Sequence, residues 1–338
     1  MIEYIINNPF LKFNPFFIIL SFVLISIMII LFSILLTKYA DALSERKKID
    51  GGLIGFILLA AISSLPELVV SISSVINLPH SIGCNLAIGN VLGSNLFNLS
   101  IIALISIIFT KTLITMNNRN LFLKITTQTI LMTLLVFLLL NYNHIHGKYL
   151  IFLIPIIYIL FVCFNKNYSF EENKNKKINK FIKMKSLVFY SKFILISFIV
   201  VILGVLMSSI GNIMSLDISN GGLGLNANFT GTLFLALSTS LPELAIALSC
   251  IKMNNTQMAC GNIFGSNLFN FLIIFLSDLF IKKNSIFEYT IWSNNISVVS
   301  ILLLSLSMLV IFKLKNEKFV KMFGIKMIII YLLTLSNI

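Results

Sequence analysis

Charge is scarce in this chain. Only 11% of its 338 residues are Asp, Glu, Lys or Arg, while 58% are apolar and the mean hydropathy is +0.99. A soluble domain carries roughly 25% charged residues, so this composition excludes a water-soluble globule. It also excludes disorder, which needs low hydrophobicity and high charge. Arginine is scarcer still, with Arg46 and Arg119 standing among 25 basic residues. The net charge of +13 therefore does not point to nucleic acid, because phosphate readers favour the guanidinium fork. The four cysteines, Cys84, Cys163, Cys250 and Cys260, lie in or beside apolar runs without a C-x-x-C pair. That excludes a disulfide or zinc framework and leaves small buried hydrophobes. His80, His144 and His146 fall between the apolar runs, with no thiol or carboxylate at metal-ligand spacing. No histidine is thus placed to serve Ser64 or Ser240 as the base of an intramembrane hydrolase.

What the chain has in abundance is long apolar runs, at about 15–40, 51–77, 82–110, 121–141, 149–165, 187–214, 229–252, 257–281, 290–312 and 320–336. With about 20 residues needed per span, these predict an all-α membrane protein of ten transmembrane helices with no room for a large soluble domain. The first run is too long for a signal-peptide core and lacks a small-x-small cleavage site, so it reads as a retained helix. The loops after the odd-numbered runs, with the adjoining helix ends, carry 21 Lys and Arg; the opposite side holds only Lys12, Lys148, Lys282 and Lys283. By the positive-inside rule both termini lie outside the cytoplasm. The polar, lysine-rich stretch Asn165–Ser186 divides the chain nearly in half and reads as a solvated cytoplasmic linker. The expected organisation is a first five-helix repeat (1–165), a basic linker (166–186) and a second five-helix repeat (187–338).

The two halves repeat each other. Ser64-Leu65-Pro66-Glu67-Leu68 recurs as Ser240-Leu241-Pro242-Glu243-Leu244, and the stretch from Gly89 to Asn98 (GNVLGSNLFN) recurs from Gly261 to Asn270 (GNIFGSNLFN). Thirteen of these fifteen positions are identical. The glutamates are 176 positions apart and the motif glycines 172, a difference absorbed in the short connection between paired helices, since loops tolerate length changes. Five crossings separate the copies, an odd number, so they enter the membrane with opposite polarity. Inverted repeats of this kind are common in secondary transporters.

Glu67 and Glu243 sit inside apolar spans, where an ionised carboxylate is costly and marks an ion or proton path. Pro66 and Pro242 each remove a backbone donor, freeing a carbonyl near Ile62 and Ser238. Such broken backbone survives at membrane depth only where protein, water or an ion satisfies it. In the third span Asn90, Ser94 and Asn98 recur every fourth residue and form one polar stripe, as do Asn262, Ser266 and Asn270 in the eighth. Gly89/Gly93 and Gly261/Gly265 have the spacing of close helix packing. Ser71, Ser73 and Ser74 read as packing serines, and Asp278 as a membrane-edge residue. Carboxylate, hydroxyl, amide and carbonyl oxygens are hard ligands suited to Ca²⁺ and Na⁺. Two glutamates give the site a formal charge of −2, which one Ca²⁺ balances, and several Na⁺ ions can compete for the same oxygens. Moving two bare carboxylates through a low-dielectric barrier is unfavourable, so crossing is coupled to occupancy, which is antiport. A proton could replace Na⁺ as counter-ion, while neither repeat suggests the open polar pore of a channel.

On these paired motifs the chain resembles the cation/calcium antiporter superfamily, close to its prokaryotic sodium/calcium exchangers, over essentially its whole length. The resemblance implies two five-helix halves around a midplane site, Ca²⁺/Na⁺ exchange without a cofactor or enzymatic activity, no obligatory protein partner, and a place in the plasma membrane, the inner membrane of a bacterium. It implies a central Ca²⁺ site at Glu67, Ser63, Glu243 and Thr239. It further implies flanking Na⁺ sites at Ser64, Ser94 and the Ala236 carbonyl, and at Ser240, Ser266 and the Ala60 carbonyl, with a further amide at Asn98. Ser63 stands where the family often has Thr, Ile62 and Ser238 replace a usual glycine, and Asn270 stands where several relatives carry Asp.

Overall fold

The structure is a computed structural model that describes residues 15–116, 119–141, 149–164, 179–215, 238–281 and 285–337. These residues are almost wholly helical. Helix α1 spans Pro15–Lys47, α2 Gly51–Asn77, α3 His80–Ile108, α4 Arg119–Asn141 and α5 Leu153–Phe164. After Asn179, α6 spans Ser186–Ser215, α7 Leu241–Lys252, α8 Thr256–Asp278, α9 Trp292–Lys313 and α10 Glu317–Asn337. Among the described residues eight helices are long and apolar enough to cross a membrane; α5 and the described part of α7 are shorter. The chain is a multi-span membrane protein.

Most helix ends fall within three or four residues of the apolar runs, because a span is bounded by its change of polarity. Helix α1 outruns its apolar run and continues to Lys47. Its last turns are anchored: Arg46 donates to the carbonyls of Ile182 and Met184 and lies over the Phe189 ring, and Asp41 accepts from Asn179 Nδ2 at 3.2 Å and Asn255 Nδ2 at 3.0 Å. Asp50 opens α2 by accepting from the N–H groups of Gly52 and Leu53 at 2.8 and 3.3 Å, satisfying donors that a helix start leaves orphaned.

Helices α3 and α8 form the buried centre, with Ile88, Leu92, Phe264 and Phe271 fully enclosed. Helices α1, α6 and α10 turn large apolar side chains such as Leu24, Phe198 and Leu332 outward, as a lipid-facing surface requires. Lipid tails are as apolar as the core, so close packing rather than water exclusion must hold the centre together. Glycine provides it. A Cβ on Gly265 would meet the Phe56 carbonyl oxygen at 2.2 Å and one on Gly261 the Gly52 carbonyl oxygen at 2.2 Å, so α8 lies backbone-to-backbone on the first half of α2. The packing role expected of this glycine pair is therefore met, whereas a Cβ on Gly89 would meet nothing within 4 Å among the described residues.

Asp278, expected at the membrane edge, ends α8 and is buried there: it accepts from the Ile286 N–H at 2.6 Å and Ser285 Oγ at 3.1 Å, pinning the loop that returns to α9. One expectation needs correction: Cys84, Cys250 and Cys260 are buried, but Cys163 is exposed on α5. His80 opens α3 and is exposed, beside the Tyr289 ring; His144 and His146 lie outside the described residues.

Candidate functional site

Helix α2 is not continuous. Residues 54–59 form a wide π-helical turn in which the Ala60 N–H reaches back to the Gly55 carbonyl, and the helix then breaks at Ser64 (φ −92°, ψ 4°) before restarting at Leu65. The second copy breaks in the same way at Ser240 (φ −93°, ψ 10°), and α7 starts at Leu241. In each copy the proline sits at the second position of the new helix, where an N–H has no intrahelical partner in any case. The glutamate follows it in the first turn, where the positive end of a helix dipole favours negative charge.

The two breaks bring the glutamates together. Glu67 and Glu243 are buried, and each takes its hydroxyl partner from the other copy: Ser240 Oγ donates to Glu67 Oε1 at 3.3 Å, and Ser64 Oγ donates to Glu243 Oε1 at 3.2 Å. The second oxygen of each carboxylate, Oε2, has no hydrogen-bond partner among the described residues. Hydroxyls close the rest of the ring. Ser94 Oγ lies 3.4 Å from Thr239 Oγ1 and Ser63 Oγ lies 3.3 Å from Ser266 Oγ, again one residue from each copy. Ser63 Oγ also reaches the Ala60 carbonyl at 3.3 Å and Asn262 Oδ1 at 3.4 Å. The Ala60 carbonyl additionally accepts from the Ser64 N–H at 3.0 Å. Ser64 and Ser240 thus donate to carboxylates and not to an imidazole, the opposite of an activated nucleophile.

Ten of the twelve residues expected at the site, Glu67, Glu243, Ser63, Thr239, Ser64, Ser240, Ser94, Ser266, Asn98 and Asn270, are buried polar groups of the molecular interior. Of the two expected backbone ligands, Ala60 is buried beside Ser63 and Ser64, and Ala236 lies outside the described residues. In the first polar stripe Asn90 Nδ2 donates to the Glu67 carbonyl at 3.3 Å and to Ser71 Oγ at 3.0 Å, while its Oδ1 has no hydrogen-bond partner among the described residues. Ser71 is therefore a packing residue as expected, and Ser73 and Ser74 bond only within α2.

The sequence stripes omit two buried asparagines. Asn95 accepts from Asn270 Nδ2 at 2.9 Å, joining α3 to α8, and Asn267 is enclosed at the equivalent place. Their signal was their identity in both copies of the ten-residue repeat. Among the described residues no group of three or more His, Cys, Asp or Glu forms a metal cluster. The centre is two carboxylates in a shell of neutral oxygens, a donor set for hard cations.

Fold and interior thus define a polytopic helical membrane protein with a carboxylate pair shared between two copies of one motif. The chain belongs to the sodium/calcium exchanger protein family, whose model matches residues 17–166 and 185–337. Among its relatives is an uncharacterized membrane protein of Methanocaldococcus jannaschii, 28% identical over 239 residues, which are 68% of this chain and 70% of that protein. The sodium/calcium exchanger MaX1 of Methanosarcina acetivorans is 44% identical over 59 residues, 17% of each chain, and the inner membrane protein YrbG of Escherichia coli is 43% identical over 44 residues, 13% of this chain and 14% of that one. Solved structures of the sodium-calcium exchanger NCX_Mj share the fold. One soaked with Na⁺ and Sr²⁺ superposes with a TM-score of 0.69 at 19% identity, covering 95% of this chain and 99% of that chain. Another, soaked with Na⁺ and Ca²⁺, gives 0.66 at 19% identity over 93% and 96%.

Proposed function

We propose that the chain is a secondary antiporter, not an enzyme, which exchanges Ca²⁺ for Na⁺ by alternating access. The reading is of ten spans in two inverted five-helix repeats joined by the basic linker, with both termini outside the cytoplasm, in the plasma membrane that a bacterium has as its inner membrane. The observation that carries it is the crossed pair: Ser240 to Glu67 and Ser64 to Glu243, each carboxylate retaining one unpartnered buried oxygen. Two buried carboxylates with free lone pairs are stabilised by a bound cation or a proton. Membership of the exchanger family and the relative named for sodium/calcium exchange support the choice of cargo.

In this reading Ca²⁺ is held between the Glu67 and Glu243 carboxylates, with Ser63 and Thr239 beside them. Na⁺ ions take the flanking oxygens of Ser64, Ser94 and the Ala236 carbonyl, and of Ser240, Ser266 and the Ala60 carbonyl, with Asn98 and Asn270 supplying amides. The Ala60 carbonyl already accepts two bonds, which fill its two lone pairs. Na⁺ binding there requires the Ser63 hydroxyl to turn to its alternatives, Asn262 and Ser266, so occupancy of one side changes the hydroxyl ring of the other. Sealed proteoliposomes loaded with Ca²⁺ test the proposal. An imposed Na⁺ gradient alone drives Ca²⁺ flux and a pH gradient alone does not. Flux driven by the pH gradient alone replaces Na⁺ by H⁺, and flux under neither overturns the exchange.

A further inference from the structure

The asparagines where α3 crosses α8 carry more than the carboxylate pair explains. Asn95 and Asn267 directly follow Ser94 and Ser266 and are fully buried. The correspondence that carries the Ser64–Glu243 bond onto Ser240–Glu67 carries the Asn95–Asn270 bond onto Asn267–Asn98. The first of these amide pairs is made, at 2.9 Å. The second is not: neither amide atom of Asn98 or of Asn267 has a hydrogen-bond partner among the described residues. Adding Asn95 Nδ2 and Asn270 Oδ1 gives six unpartnered amide atoms on four neighbouring residues. Each buried unpartnered polar atom is unfavourable, and native interiors keep few of them.

An amide has a donor end and an acceptor end, and a cation binds only the oxygen. When Asn95 Oδ1 takes Nδ2 of Asn270, the end of Asn270 left over is its Oδ1, buried and unpartnered. Without Asn95 the Asn270 amide is free to turn over and set a donor where the oxygen stood. Asn98, whose partner Asn267 does not hold it, has that freedom now.

We infer that Asn95 is a positioning residue that decides which end of the Asn270 amide is offered to the ion. The inference rests on the exchange reading. Asn95 touches no ion itself and acts through Asn270, so its effect is on monovalent-ion affinity and not on the carboxylates that hold Ca²⁺.

The test uses the full-length protein in proteoliposomes for Na⁺-driven Ca²⁺ flux, and in detergent for Na⁺-dependent thermal stabilisation, which needs a folded protein but no transport. Asn95→Ala raises the half-saturating Na⁺ concentration roughly 3- to 10-fold, the loss of about one neutral hydrogen bond, with the maximal rate and the Ca²⁺ dependence near those of the parent. Asn95→Leu, which keeps the side-chain volume, gives the same shift if the alanine variant folds poorly. Combining Asn95→Ala with Asn270→Ala adds nothing to Asn270→Ala alone, since the pair acts as a unit. Parental Na⁺ dependence in both Asn95 variants, or single effects that multiply in the double variant, overturns the assignment while leaving exchange intact. A parent with neither Na⁺-driven flux nor Na⁺ stabilisation overturns the exchange reading and the assignment with it.

Discussion

Asn90 and Asn262 occupy the same position in the two copies, have identical motif neighbours, and do different things. Asn90 donates to the Glu67 carbonyl and to Ser71 Oγ, along its own copy. Asn262 accepts from Ser63 Oγ of the other copy, and its Nδ2 has no hydrogen-bond partner among the described residues. The difference lies outside the motif. Four positions beyond Glu67 stands Ser71, whereas four beyond Glu243 stands Ala247, which offers no oxygen. One missing hydroxyl turns an amide from its own copy to the opposite one, so two nearly identical motifs make two inequivalent halves of one site.

The strongest challenge to this comparison is at the carboxylates themselves. Glu67→Gln and Glu243→Gln each abolish Na⁺-driven Ca²⁺ flux in proteoliposomes while the protein still inserts and folds, because each halves the formal charge facing a divalent ion in a low-dielectric site. Flux near the parent's in either variant ends the shared-site description. Next in size is Gly265→Ala, whose Cβ would fall 2.2 Å from the Phe56 carbonyl oxygen and 2.7 Å from the Ala60 Cβ. Overpacking of this kind destabilises by about 1–3 kcal/mol, and the thermal midpoint of the detergent-solubilised protein falls accordingly.

Asn270→Asp changes ion use rather than stability. A third buried negative charge is unfavourable unless a cation or proton joins it. Calcium flux measured at pH 6 and 8, with and without K⁺, therefore gains a dependence on acid or on the accessory monovalent ion that the parent lacks. Identical behaviour in all four conditions means that Asn270 faces away from the ions. The smallest change is Ser71→Ala, which makes the first copy like the second. It removes one hydrogen bond to Asn90 and is unfavourable by about 1 kcal/mol, read as a small fall in thermal midpoint. Ala247→Ser gives Asn262 the acceptor it lacks and, if the comparison holds, brings the two copies closer in their response to substitution at Ser63 and Thr239.

Spans, helix breaks and the buried carboxylates were legible in the sequence because each rests on a local rule: length in a bilayer, proline geometry, the penalty on charge. The carboxylates' partners were not. Ser64 lies three residues from Glu67 and is the obvious donor to it, yet it bonds Glu243, a choice made only when the two breaks meet. Asn95 and Asn267 escaped for a different reason. They lie about 100° around the helix from the Ser94 and Ser266 stripes, so a search along one face passes over them although the α3–α8 crossing buries both faces. The burial of Asp278 was hidden because no helix or strand period links it to Ser285 and Ile286, the residues of the returning loop that it holds.

The crossed serine–glutamate bonds bear on how such a chain could arise. A single copy of the motif supplies a carboxylate but keeps its hydroxyl for the other, so it is complete only beside a second copy. Two unjoined identical copies would satisfy that requirement by symmetry, each difference appearing twice. Joining them in one chain frees the copies to diverge, and the pair Ser71 and Ala247 is what that divergence looks like. It also ties their substitutions: a change at Ser64 is felt at Glu243, in the other half of the molecule.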